Sequence, residues 1–310
     1  MDTVAIAGGT GKLGLTIAEV LNDNPRYKVL ILSRKAEEAH GLDVPVLAVD
    51  YMDVDALVHL LEINMVHTVI STIQVNGPGA GASEINLVKA ASRSSHTQRF
   101  ISSDWSVPMP EDGRLAVPQF APRAATIKEL QTTDLEWATV YNGQFMDYLG
   151  TPHIKSHMGV YAIHIDMHNC VAAIPGTGND LISFTYSVDI ARFVEAALGM
   201  SRWEKQMFCY GDVRSYNEVL KLAEEATGTK FTVTYDSIEK LERGEMTELP
   251  FHISMYSHVP KSALQARYAM FGLFCIEGLM HLPEETALNK LFPHIRTKTV
   301  KEVVNAWEGK

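Results

Sequence analysis

The chain has 310 residues and a mass of 34.3 kDa, enough to bury about 75% of its unfolded surface without metal or disulfide staples. Hydrophobic residues make up 46% and charged residues 21%, which excludes a disordered chain. The net charge of −10 and pI near 5.6 argue against a nucleic-acid or anionic-membrane binder, since either calls for a basic surface.

Cys170, Cys209 and Cys275 lie far apart and form no CxxC pair, the usage of reduced thiols in the cytosol. Met1-Asp2-Thr3 runs straight into Val4-Ala5-Ile6-Ala7, with no basic segment ahead of a long apolar one, so no signal peptide is expected. The most apolar later stretch, Ala269 to Met280, is short and contains Glu277; a bilayer span needs roughly 20 apolar residues. The expectation is a soluble cytoplasmic protein with no membrane partner.

Taken in chain order, the first half alternates strand and helix. Apolar runs at Val4–Ala7, Val29–Leu32, Val46–Val49, His67–Thr72, Arg99–Ser102 and Ala138–Tyr141 predict strands. Between them, Leu13–Leu21, Val54–Leu61, Glu84–Ala91 and Ala124–Gln131 have helical spacing, with Asp53 placed to cap the second helix. Such alternation predicts a parallel sheet covered on both faces. After about Gly150 the rhythm changes, with Pro, Gly and His frequent. Ser187 is placed to cap a helix over Val188–Leu198, and Gln206–Tyr210 reads as a strand. Ser215-x-x-Glu218 and Thr299-x-x-Glu302 are capping boxes, and Glu239–Arg243, Lys261–Phe271 and Pro283–Leu291 are further helix candidates. The second half therefore reads as a smaller, mostly helical lobe.

The glycine run carries the most information. Gly8-Gly9-Thr10-Gly11-Lys12-Leu13-Gly14 follows the first strand and opens the first helix, with glycines at 8, 11 and 14. Glycines there permit a tight turn and let backbone N–H groups approach a pyrophosphate at a helix N-terminus. The residues Gly8, Thr10, Gly11, Lys12, Leu13 and Gly14 are thus candidates for dinucleotide binding on a Rossmann-type, doubly wound α/β domain. The end of the second strand selects the dinucleotide. A fold that prefers NAD puts an acid near here to hold the ribose 2′-hydroxyl, but this chain has Ser33-Arg34-Lys35. The cations Arg34 and Lys35 suit a 2′-phosphate, so NADPH is favoured as cofactor.

With these residues in view, the sequence resembles the NmrA-like and isoflavone-reductase-like branch of the atypical short-chain dehydrogenases/reductases. Arg99-Phe100-Ile101-Ser102-Ser103-Asp104-Trp105 is similar to that family's RFxPSEFG strand end. Leu135 to Phe145 resembles its yTxxxxGxF segment, while Ala173 to Asn179 and Phe184 to Ala191 are similar to its fungal members. The similarity covers most of residues 3–235.

The resemblance implies a Rossmann domain over residues 1–150, with 181–211 returning to it, and a substrate lobe over 151–310, the ligand lying in the cleft between them. It implies NADPH-dependent reduction of a C=C or C=O bond in a small apolar, aromatic, secondary-metabolite-like substrate. It also places Asp50 near the adenine and Ser71 and Thr72 near the middle of the cofactor. Some members bind dinucleotides without known turnover, so an NADP(H)-sensing regulator with a protein partner is an alternative; a non-redox cyclase or isomerase on the same scaffold is another. A homo-oligomer is compatible with each.

The chain departs from the family at the chemistry. Tyr-x-x-x-Lys is absent, and the family's FxxK reads Phe120-Ala121-Pro122-Arg123, so Arg123 takes the usual catalytic lysine's place. A guanidinium does not give up a proton near neutral pH, but it can hold a carboxylate or stabilise a developing oxyanion. Water, Tyr148, Ser102 and Ser103 remain as sources of the proton. Trp105, Met109, Phe145, Met146 and Tyr148 follow strand ends, where open α/β sheets bind ligands; Trp105, Phe145 and Tyr148 are taken as substrate-lining. His153, His157, His164 and His168 fall within sixteen residues, but no second acid/His cluster completes a metal site. They are expected to be structural or substrate-lining.

Overall fold

In the computed structural model the described residues are 1–35, 41–75, 81–109 and 120–310. The chain divides into two compact units. One comprises Met1–Trp105, Met109–Tyr141 and Ala191–Met207; the other comprises Ser106–Pro108, Asn142–Ile190 and Phe208–Lys310.

The first unit begins β1 (Asp2–Ala7), α1 (Lys12–Asn22), β2 (Tyr27–Ser33), β3 (Val46–Ala48), α2 (Val54–Ile63) and β4 (Val66–Ser71). It continues α3 (Gly81–Arg93), β5 (Arg99–Ser102), α4 (Ala121–Leu130) and β6 (Glu136–Tyr141). The chain then runs through β7 (Gln144–Phe145), β8 (Ile165–Asp166), β9 (Val171–Pro175), β10 (Leu181–Thr185), α5 (Ser187–Leu198) and β11 (Gln206–Phe208). Among the described residues the large sheet has the order β11-β6-β5-β4-β1-β2-β3, and the pairs from β6 through to β3 are parallel. Apolar strands form here because both faces are covered: Val4, Ala5, Ile6 and Ala7 are all buried. Leu30, Leu32, Val69 and Phe100 pack with Leu57, Leu61, Leu87, Val88 and Leu130 from the helices, each large side chain contributing about 2 kcal/mol.

Because β1 lies between β2 and β4, the strand order reverses there. The loop after β1 and the residues after β4 therefore meet at the carboxyl edge of the sheet, the switch point of a doubly wound fold. Asp53 caps α2 by accepting from Ala56 N–H at 2.9 Å, as its sequence position predicts. Arg99, the first residue of the strand-end motif, is spent on architecture. Its Nε meets Glu136 at 2.6 Å, its Nη groups donate to the carbonyls of Leu198, Met200 and Ser201, and its guanidinium stacks on Trp203. A cation so placed satisfies carbonyls that the end of α5 leaves unpaired.

The second unit is richer in helix than in strand, as expected, but it also carries strands that the sequence reading did not place. Its later elements are β12 (Asp212–Ser215), α6 (Tyr216–Thr227), β13 (Thr232–Asp236), α7 (Ile238–Glu242), α8 (Pro250–Met255), α9 (Lys261–Ile276), α10 (Leu288–Leu291) and α11 (Val300–Val304). Two three-stranded sheets, β12-β10-β7 and β13-β9-β8, accompany the helices. Pairing of β10 with β12 and β7 is also why the segment returning to the first unit is Ala191–Met207, narrower than 181–211. Helix 283–291 shrinks to Leu288–Leu291 because Ala287 bridges Phe208 and closes a turn on Glu284. Both capping boxes form, at Ser215/Glu218 and Thr299/Glu302. Among the described residues no helix is long and apolar enough to cross a membrane.

A buried polar chain ties this unit together. Tyr216 donates to Gln144 Oε1 at 2.7 Å, so its oxygen accepts from His164 Nδ1 at 2.8 Å. Burial pushes the His164 pKa down to about 3. The unfolded chain thus takes up the proton first as pH falls through the ordinary histidine value near 6.5. Stability from this group is complete above that pH and declines on acidification toward 3, by about 1.4 kcal/mol per pH unit. Urea unfolding between pH 7.5 and 4.5 should show this slope, reduced in His164→Gln; equal slopes in the two proteins would sink the assignment.

Candidate functional site

The glycine loop is shaped by lack of room. Gly8 has φ +73°, a conformation that favours glycine. A Cβ at Gly14 would lie 2.7 Å from Gly8 O, Gly9 Cα and Thr72 Oγ1, and one at Gly9 would lie 2.9 Å from Ile31 and Ile6 O. Loop, strand and helix therefore close onto one another only with hydrogen at these positions. Gly11 is the N-cap of α1; it offers no side-chain cap, and the first turn holds no acid. The N–H groups of Lys12, Leu13 and Gly14 have no intrahelical acceptor by helix geometry, and the positive end of the dipole faces the loop. These residues fit a pyrophosphate.

Tyr51, which the sequence reading did not select, fixes the loop. Its buried hydroxyl donates to Leu32 O at 3.0 Å and accepts from Gly8 N–H at 3.3 Å. Burial pushes its pKa up to about 12, so it stays a neutral bridge. Its signal was its place directly after Asp50 at the end of the third strand. Thr10 Oγ1 and Ser33 Oγ lie 3.2 Å apart, joining the loop to the end of β2. Arg34 and Lys35 follow there with exposed side chains. Asp50 is exposed and its carboxylate accepts from Met52 N–H at 2.8 Å, a local turn.

The ends of β4 and β5 carry a second group. Thr72 donates its hydroxyl to Ala7 O at 2.9 Å, holding β4 to β1. Ser102 Oγ is buried with no hydrogen-bond partner among the described residues, and Ser71 Oγ is buried beside Glu84. Ile70 and Ile101 are register partners on adjacent parallel strands, so Ser71 and Ser102 follow side by side. Trp105 folds back to donate its indole N–H to Ser71 O at 3.0 Å. Ser103 donates its hydroxyl to Ile73 O at 2.8 Å. Its N–H donates to the fully buried Glu84 at 2.7 Å, and Thr126 of α4 donates to the other Glu84 oxygen at 3.1 Å. Burial pushes the Glu84 carboxyl above its ordinary range, against these donors. Glu84 thereby fixes both the strand end and the register of α4.

That register sets Arg123, one turn before Thr126, against Asp104. Arg123 Nη1 donates to Asp104 Oδ1 at 2.6 Å, with side chains 12% and 7% exposed, and its guanidinium lies 4.5 Å over the Phe120 ring. Tyr141, at the end of β6, donates to Asp104 Oδ2 at 3.3 Å. Burial raises the pKa of Asp104 while Arg123 opposes it, and burial and then Asp104 raise that of Tyr141. Sequence reading named Arg123 but missed Asp104, Tyr141 and Glu84. Asp104 occupies the acid position of the strand-end motif, and that was its available signal.

Phe145 and Tyr148 belong to the second unit and start a ladder of rings. Phe145 stands 5.9 Å from Tyr148, Tyr148 stands 4.9 Å from Tyr161, and Tyr161 meets Phe251 and Tyr268 edge-on. The histidines are dispersed: His153 packs on Trp307, His164 bonds Tyr216, and His168 is exposed. Asp166 accepts from the N–H groups of Asn169 and Phe251.

The pair in α4 and β5 gives a test by stability. Asp104→Ala leaves the Arg123 cation buried and unpaired, which should cost about 3–5 kcal/mol. Adding Arg123→Met should recover much of that loss in urea unfolding. A double variant no more stable than Asp104→Ala would show that the two charges are not coupled.

The NmrA-like family model matches residues 1–259. The oxidoreductase BOA1 of Botryotinia fuckeliana is 34% identical over 233 residues, covering 74% of this chain and 78% of that protein. The oxidoreductase swnN of Metarhizium robertsii is 25% identical over 327 residues, covering 97% and 96%. Among solved structures, the binary complex of leucoanthocyanidin reductase with NADPH from Vitis vinifera shares the fold, with a TM-score of 0.74 at 16% identity over 98% of this chain and 99% of that one. A family match over this length, joined to the glycine loop and strand-end motif, leads to one assignment: the chain belongs to the NmrA-like family.

Proposed function

We propose that this chain is an NADPH-dependent reductase acting on a C=C or C=O bond of a small apolar, aromatic molecule. One observation carries the reading: a glycine loop with no room for a Cβ and an uncapped helix N-terminus stands at the switch point, with Arg34 and Lys35 at the neighbouring strand end. The oxidoreductase names of the curated relatives and the NADPH held by leucoanthocyanidin reductase support it.

NADPH, when bound, supplies the hydride. Gly8 to Gly14 hold the pyrophosphate through backbone N–H groups, and Arg34 and Lys35 hold the 2′-phosphate that an acid there would repel. Asp50 serves the adenine end, and Ser71 and Thr72 the middle. Trp105, in the same unit as the glycine loop, contacts the substrate. Arg123 orients the substrate and offsets developing negative charge, but it does not deliver the proton. Ser103 has already given its hydroxyl to Ile73, and burial raises the pKa of Tyr148, making it a poor acid. Ser102, whose hydroxyl has no hydrogen-bond partner among the described residues, relays a proton from water.

A second reading is favoured by one observation, the engagement of Arg123 with Asp104. With no lysine at this position, binding of NADP(H) without turnover gives a sensor, and its partner would be a protein.

Titration with NADPH, NADP⁺ and NADH tests the cofactor. NADPH should bind at least about tenfold more tightly than NADH, and Arg34→Ala/Lys35→Ala should lose about 10- to 100-fold for NADPH with little change for NADH. Failure of all three to bind would overturn the assignment. Transfer of deuterium from labelled NADPH to an aromatic enone or ketone then separates reductase from sensor.

A further inference from the structure

Arg123 is only half used. Its Nη1 is committed to Asp104 at 2.6 Å, while its Nε is buried with no hydrogen-bond partner. Among the described residues its remaining polar contacts are that same ion pair and the face of Phe120. Two restraints fix the guanidinium. Asp104 cannot swing away, because its second oxygen accepts from Tyr141, and the Phe120 ring 4.5 Å from the guanidinium carbon sets the plane. The edge formed by Nε and Nη2 is thus held in a defined direction with its two parallel N–H groups unspent.

From this we infer that the Nε/Nη2 edge of Arg123 is a docking fork for a carboxylate carried by the substrate, an inference that rests on the reading of this chain as a small-molecule enzyme. Two parallel donors match the two oxygens of a carboxylate, which a lysine ammonium, a point donor, cannot do. This gives a reason for arginine where the family has lysine. The charge balance favours a monoanion. Asp104 already neutralises Arg123, so a bound carboxylate adds one uncompensated charge beside the Asp104 carboxylate and a phosphate dianion adds two, which makes the monoanion the less costly guest. The net charge of −10 on the whole chain also works against nonspecific capture of anions, so selective binding of one reports this fork.

Calorimetric titration of the full chain in the presence of NADP⁺ tests the inference, with benzoate as probe and the near-isosteric neutral benzamide as control. Benzoate should bind at least about tenfold more tightly than benzamide. Arg123→Gln should abolish that preference, while Arg123→Lys should recover only part of it. Equal binding of the two probes by the natural protein, no binding of either, or an undiminished preference in Arg123→Gln would overturn the proposal. The comparison within the natural protein and the lysine variant still decides the matter if Arg123→Gln does not fold. NADP⁺ binding is measured in the same cell. Benzoate preference without NADP⁺ binding removes the cofactor reading and leaves the fork, whereas NADP⁺ binding without benzoate preference removes the fork alone.

Discussion

Space for one carbon atom governs the carboxyl edge of the large sheet. At Gly14 a Cβ would stand 2.7 Å from Gly8 O, Gly9 Cα and Thr72 Oγ1, so helix α1, the loop before it and the residue after β4 meet through hydrogen atoms alone. Protein interiors do not absorb such overlaps without backbone shifts. Everything else at this edge follows from that closeness. Gly8 can reach both Leu32 and the Tyr51 hydroxyl, Thr72 can hold Ala7, and the first turn of α1 is left with donors that no side chain satisfies.

A second constraint acts beside the first through charge. Glu84 is buried with no cation beside it among the described residues and accepts from Ser103 and Thr126, which fixes where the end of β5 meets α4. Asp104 and Arg123 are then opposed at 2.6 Å. A buried ion pair of this kind contributes little net stability but costs several kcal/mol when one partner is lost, so its value lies in geometry. It turns a long, mobile side chain into a fixed fork and removes its net charge. A lysine could have been tuned to release a proton here; a paired arginine is suited to recognition and to electrostatic support.

Much of the first unit was legible because its strands are apolar on both faces and helices α1 and α2 each carry an apolar stripe. Val29–Leu32 lies inside β2, Arg99–Ser102 coincides with β5, and Asp53 caps α2. The second unit hid its sheets. β9 contains two alanines and ends in Pro175, and β12 reads Asp-Val-Arg-Ser; neither carries the β-branched alternation by which strands are recognised. The glycine loop was readable from spacing, and Arg123 from a resembling motif. Tyr51, Glu84 and Asp104 were not, since each acts on residues 19 to 43 positions away, and a single sequence does not reveal such pairs.

The central claim, that the loop after β1 and the end of β2 together hold NADPH, is tested most directly by hydrogen exchange with and without the dinucleotide. Bound NADPH should slow exchange in peptides covering Gly8 to Gly14 and Ser33 to Lys35. Exchange unchanged in both segments at saturating NADPH would contradict the account.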